Sequence, residues 1–184
     1  MATGLRFNSA ADVFKAFPTV SEDILTPPAD VSPLDYLRGL GASATPEEAI
    51  TFCAYLLPRR EAVWWACQCI MAFPALQGPN DGPLLELTER WVRDPDEETR
   101  TACMEAASKV QPMTPAGWAA MAVAWTGNMT ANAEFPMQAP DHLTAKAVNV
   151  AILGTLAGVP ASERSQTLSA FLDGGIMLAT RKEA

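Results

Sequence analysis

The chain has 184 residues, a formal net charge of −8 and a pI of about 4.6, with 49% hydrophobic and only 18% charged residues. That length suits one ordinary domain with a sizeable core, and the charge content lies below the roughly 25% usual for soluble domains. The acid excess, with Arg59-Arg60 as the longest basic run, argues against a nucleic-acid partner, which needs clustered cations. No leader-like opening and no apolar run near the ~20 residues of a membrane span are present, so the expectation is a soluble, cytoplasmic chain with no membrane partner.

In chain order, the pattern predicts helices at 9–17, 33–40, 46–57, 59–73, 83–93, 95–110, 115–126, 142–158 and 162–180. The strongest local signal is a capping side chain followed by proline, at Ser32-Pro33, Thr45-Pro46, Asp94-Pro95 and Thr114-Pro115. Such a cap accepts an orphan N–H, and proline at the first helical position gives up no needed donor. Glu48 and Glu97, three residues beyond Thr45 and Asp94, complete the capping pattern. Strand alternation and hairpin turn pairs are scarce. Thr26-Pro27-Pro28 interrupts the regular pattern. Residues 1–30 are therefore expected to form an appendage with a short helix, and 31–184 a single helical domain.

The longest connection, 127–140, carries Gly127, Pro136 and Pro140; a loop this long in a compact helical domain is functional or mobile. Charge is unevenly spread. Residues 81–109 hold twelve charged side chains and 110–140 only Glu134. The low-charge stretch, with Met113, Trp118, Met121, Trp125, Met129 and Met137, reads either as central core or as an interface, including one for self-association.

Residues 58–71 hold the most distinctive segment. Arg59 and Arg60 open a helix, where the macrodipole disfavours cations by a few tenths of a kcal/mol. A structural reading pairs one arginine with a carboxylate of a neighbouring helix and leaves the other solvated. A functional reading uses both to bind a carboxylate or phosphate. Val63, Ala66, Cys67 and Ile70 form the expected core stripe. Trp64 and Trp65, about 100° apart on the helix, cannot both lie central to it. Arg60 and Trp64 are spaced for a cation–π contact. Arg59, Arg60, Trp64 and Trp65 are the candidate binding residues, because arginine and tryptophan anchor binding hot spots.

Cys67 and Cys69 sit about 200° apart on a helix and share no metal there. With Cys53 and Cys103 they read as free, buried thiols. His142 is the single histidine and has no partner at ligand spacing. Carboxylates at Glu47-Glu48, Glu86/Glu89 and Asp96-Glu97-Glu98 fall in first turns or on polar faces, where acids are expected. No phosphate loop, dinucleotide fingerprint or nucleophile motif is legible. The chain therefore reads as non-enzymatic, with no catalytic residue, metal or cofactor expected.

Glu61 to Cys67 echoes Glu97 to Cys103 at an offset of 36 residues. A period near 36 with two helices per unit suggests stacked hairpins. Asp94-Pro95-Asp96-Glu97-Glu98-Thr99-Arg100-Thr101-Ala102 resembles the turn and second-helix start of HEAT-type repeats. The fold expected is all-α: a compact helical domain of stacked antiparallel hairpins, partly solenoid-like.

The run Leu57-Pro58-Arg59-Arg60-Glu61-Ala62-Val63-Trp64-Trp65-Ala66-Cys67, with Pro140-Asp141-His142-Leu143-Thr144-Ala145-Lys146-Ala147-Val148, resembles an uncharacterised family of bacterial helical proteins. That family is similar to accessory components encoded near type VI secretion genes. The resemblance implies a class and carries no catalytic residues. The leading expectation is a cytoplasmic adaptor or scaffold that binds another protein through Arg59, Arg60 and one tryptophan, aided by 127–140. The alternatives are a domain that binds or converts a small anionic ligand at the arginines, and an immunity-type protein whose acidic surface neutralises a basic toxin.

Overall fold

The computed structural model describes residues 5–129 and 137–181. Residues 130–136 of the expected long connection, Glu134 among them, lie outside the described residues. Among the described residues ten α-helices are present: α1 (Ala10–Ala16), α2 (Val20–Asp23), α3 (Pro33–Gly41), α4 (Glu47–Leu56), α5 (Arg59–Met71), α6 (Asp81–Arg93), α7 (Glu97–Ser108), α8 (Pro115–Ala124), α9 (Leu143–Gly158) and α10 (Ala161–Thr180). A short 3₁₀ turn spans Pro74–Leu76. Among the described residues the one extended pairing is an isolated bridge between Asn128 and Gln138. The protein is all-α.

The capping logic holds in detail at two of the four proline-marked starts. Ser32 caps α3 by accepting from Asp35 N, and Thr114 caps α8 by accepting from Gly117 N. At α7 the cap is Asp96, two residues beyond the expected Asp94. Asp96 Oδ1 accepts from Thr99 N and Oδ2 from the Thr99 hydroxyl, and these bonds hold its carboxyl below the usual range. At α4 no side chain caps the start. Glu48 accepts from Leu25 N and the Thr26 hydroxyl instead. The short helix α2 was not expected. It turns between Phe17 and Ile24, both buried, and tertiary burial decides helices too short to nucleate alone.

The helices form two compact units, Met1–Pro58 with Val159–Ala184, and Arg59–Gly158. In the first, α4 packs against α2, α3 and α10, and α10 also meets α3. Every residue of α4 after Glu47 is buried. Its ring of aromatic contacts continues into α1: Tyr36 meets Phe52 at 4.8 Å, Phe14 meets Tyr36 at 6.0 Å, and Phe17 meets Tyr55 at 5.5 Å between centroids. Edge and tilted geometries of this kind add to simple burial.

In the second unit consecutive helices pack in turn, α5 on α6, α6 on α7, α7 on α8 and α8 on α9. This is the stacked-hairpin pattern. Closure comes from α5, which also packs on α8 and α9. The alanine-rich α8 is the hub of this unit, in contact with α5, α6, α7 and α9. Ala116, Ala119, Ala120, Ala122, Val123 and Ala124 are fully buried. Small side chains let four neighbours approach one short helix. No helix among the described residues is long and apolar enough to cross a membrane.

Candidate functional site

Two cations at the start of α5 face an unfavourable dipole, and the structure shows where they go. Arg60 Nε donates to Val92 O at 2.6 Å and Nη2 to Arg93 O at 3.0 Å. It caps the carbonyl end of α6, where a positive charge is favoured. Arg59 Nη1 donates to Thr126 O at 3.1 Å, and Nη2 pairs with the carboxylate of Asp141. One arginine therefore pairs with a carboxylate, and the other serves a helix end instead of solvent. Arg60 makes no cation–π contact with Trp64, whereas the Arg6 guanidinium lies over Phe7 and Phe17.

Trp65 is buried at 2% exposure, whereas Trp64 is half-buried. Trp64 is thus the tryptophan nearer the surface. Val63, Ala66, Cys67 and Ile70 are buried as the stripe requires, but so are Ala62 and Cys69. Cys67 and Cys69 are both interior because α5 has packed neighbours on more than one side. All four cysteines are free and buried. Burial raises the Cys53 and Cys67 thiols far above their usual range and Cys103 to about 11. Cys53, Cys67 and Cys103 therefore lack the character of a nucleophile. His142 is half-buried just before α9, and no group of three His, Cys, Asp or Glu side chains suited to a metal occurs among the described residues.

Arg59 fastens both ends of the α8–α9 connection: Thr126 begins it and Asp141 closes it. A second arginine reinforces the first end. Arg100, buried on α7, donates from Nη1 to Ala124 O at 2.7 Å and from Nε and Nη2 to Glu97 at 2.7 and 2.5 Å. The guanidinium bonds hold the Glu97 carboxyl below its ordinary range. Gly127 lies so close that a Cβ there would stand 2.9 Å from Arg100 Nε. The Thr144 and Thr126 hydroxyls donate to Ala122 O and Val123 O. The carbonyl end of α8, which a helix leaves without internal partners, is satisfied almost residue by residue.

Beyond that end the chain pairs across its own neck. Met129 N donates to Met137 O at 2.7 Å, Ala139 N to Gly127 O at 3.0 Å, and Met137 N to Asn128 Oδ1 at 2.9 Å. The side chains presented here are apolar. Met137 is 57% exposed, Met129 is half-buried, and the half-buried Trp118 and Trp125 rings meet at 6.2 Å. The site is therefore an apolar neck held by charged fasteners.

The sequence pointed to Arg59 and to the connection separately, and the structure joins them. Arg60 holds the carbonyl end of α6, and Trp65 is buried. Arg100 was legible only as part of a repeat-like turn. The available signal was the opposite charge of Glu97 three residues earlier, which on a helix makes a pair.

Fold and site together define an all-α protein of packed helical hairpins with a fastened interhelical loop. The chain belongs to a family of unknown function, DUF6931, whose model matches residues 36–179. The match begins within α3 and ends within α10, so it includes the connection and its fasteners. No characterised protein and no solved structure matches the chain.

Proposed function

We propose that this chain is a non-enzymatic adaptor of the bacterial cytoplasm that binds a protein partner through the neck of the α8–α9 connection. The observation that carries this reading is the fastening of both ends of one loop by Arg59, with Arg100 and Gly127 locking the first. Ordering a loop before binding removes part of the entropic cost of association, and functional loops are commonly held by a rigid scaffold. Met129, Met137 and Trp125 supply adaptable apolar contact. The resemblance to components encoded near type VI secretion genes suggests an accessory role in such an apparatus. In this reading Arg59 fixes the two ends of the neck, at Thr126 and Asp141.

The test is quantitative cross-linking in the native host with tagged wild type, Met137→Asp and Arg59→Ala. A partner lost with Met137→Asp at unchanged melting temperature, and weakened with Arg59→Ala, supports the reading. Full retention of every cross-linked partner by both variants overturns it.

A second reading, an anionic ligand at Arg59, is favoured by one feature. Asp141 is 81% exposed, so a ligand carboxylate or phosphate could replace it. Stabilisation by millimolar phosphate or dicarboxylates, absent in Arg59→Ala, would select this reading.

A further inference from the structure

Residues 5–31 stand outside the stretch that the family model matches, yet they lie over α3 and α4 in an ordered way. Their polar docking has a particular form. Glu48, on α4 and buried, accepts from Leu25 N at 2.8 Å and from the Thr26 hydroxyl at 2.5 Å. The Tyr36 hydroxyl of α3 donates to Thr26 O at 2.7 Å, with Pro27 O at 3.2 Å. The Tyr55 hydroxyl of α4 donates to Asp23 at 3.0 Å. The receiving side thus supplies side chains, and the seated segment supplies mainly main-chain atoms. Leu25, whose amide is held by Glu48, leaves its side chain 84% exposed.

Apolar docking accompanies it. Phe14 and Phe17, three residues apart on one helical face, enter the aromatic ring of Tyr36, Phe52 and Tyr55. Main-chain hydrogen bonds combined with pockets for spaced side chains are how proteins read peptides. The matched part of the chain, α3 with α4 and α10, packs together through its own contacts.

We propose that the α3–α4 face is a peptide-reading groove, filled here by the chain's own residues 13–27 acting as an intramolecular ligand. The occupant it would take from a partner has stated chemistry: a helical turn with two aromatic residues three apart, then an extended stretch carrying a hydroxyl residue and proline. Such a segment matches the apolar burial of Phe14 and Phe17 and offers the N–H and C=O groups that Glu48 and Tyr36 read. The tethered copy competes at the high effective concentration of an intramolecular ligand. Detachment uncovers the aromatic ring, so the open form is short-lived and is held open by a partner. The proposal is independent of the α8–α9 neck, since every group it uses belongs to the first unit.

The experiment uses the full chain and a labelled synthetic peptide of residues 5–31. Phe14→Ala/Phe17→Ala weakens the tethered copy and leaves the groove unaltered. The expected result is peptide binding to this variant at least about 100-fold tighter than to wild type, as the tether's competition requires. A folded variant that does not bind the peptide overturns the proposal. Native-state hydrogen exchange on the wild type decides if the variant does not fold. The amides of Phe17, Val20, Ile24 and Leu25 are expected to exchange together, about 100-fold faster than those of 50–56 in α4, through a sub-global opening. Equal protection of the two sets, with exchange only on global unfolding, overturns it.

Discussion

The two units hold their longest irregular segments with groups of opposite charge. In Arg59–Gly158 the carbonyl ends of α6 and α8 are held by guanidinium groups. Arg60 serves the carbonyl end of α6, and Arg59 and Arg100 serve that of α8. In the unit formed by the chain's two ends, the principal fastener is a carboxylate. Glu48, with the Tyr36 and Tyr55 hydroxyls, takes up an irregular segment from the other polarity. Arginine carries several donors in a fixed fork and stays charged at every accessible pH. Glu48 is acceptor-only while ionised and loses that character when protonated. The fastening by Glu48 therefore depends on pH.

The largest expected effect lies at Arg100. Its side chain is only 5% exposed, and its loss leaves Ala124 O without a donor and a gap beside Gly127. Arg100→Ala should cost about 3 kcal/mol in denaturant unfolding. Arg100→Met, which keeps most of the volume, should recover part of that. An equal loss in both variants would mean the hydrogen bonds alone matter.

Next comes Glu48→Ala, at about 2 kcal/mol from two lost hydrogen bonds to a buried carboxylate. Burial alone would raise this carboxyl, but the bonds from Thr26 and Leu25 outweigh it, and the group titrates lower than usual. A depressed carboxyl contributes stability that is present above its unfolded pKa and lost as pH falls through the folded value. Wild type should therefore lose more stability than Glu48→Gln between about pH 5 and about pH 3. Parallel curves for the two proteins would remove Glu48 as the source.

Arg60→Ala should cost about 1 kcal/mol, the usual worth of a cation at a helix carbonyl end with hydrogen bonds. A collapse of the fold would show that this cap does more than end α6. The smallest effect belongs to Asp141→Asn. With Asp141 81% exposed and Arg59 33% exposed, the pair should contribute less than about 0.5 kcal/mol, and that should shrink further in 1 M salt. Its readout should be the mobility of the loop neck, followed by amide exchange at Met129 and Ala139, more than the melting temperature.

Nine of the ten helices were legible because each carries local evidence: a cap, a proline, a periodic apolar face. Boundaries moved where a side chain had a distant use. Glu48 serves Leu25 and Thr26 besides lying in the first turn of α4. Asp96, rather than Asp94, presents its carboxylate to the open amides of α7. The helix α2, four residues long, has no local reason to exist and forms because Val20 and Ile24 are buried. The candidate arginines were legible as misplaced charges, and their partners were not. Those partners lie 32, 33, 67 and 82 residues away, beyond any periodic signal.

The sequence by itself thus determined the all-helical class and most helix starts, since these follow from short-range chemistry and composition. Only the tertiary structure decided which tryptophan is buried, that Arg59 joins the two ends of one connection, and that Leu25, Thr26 and Pro27 are held by Glu48 and Tyr36. Those outcomes depend on which helix ends meet in space, which is set by the packing of α4 and α8 with their neighbours and not by any local pattern.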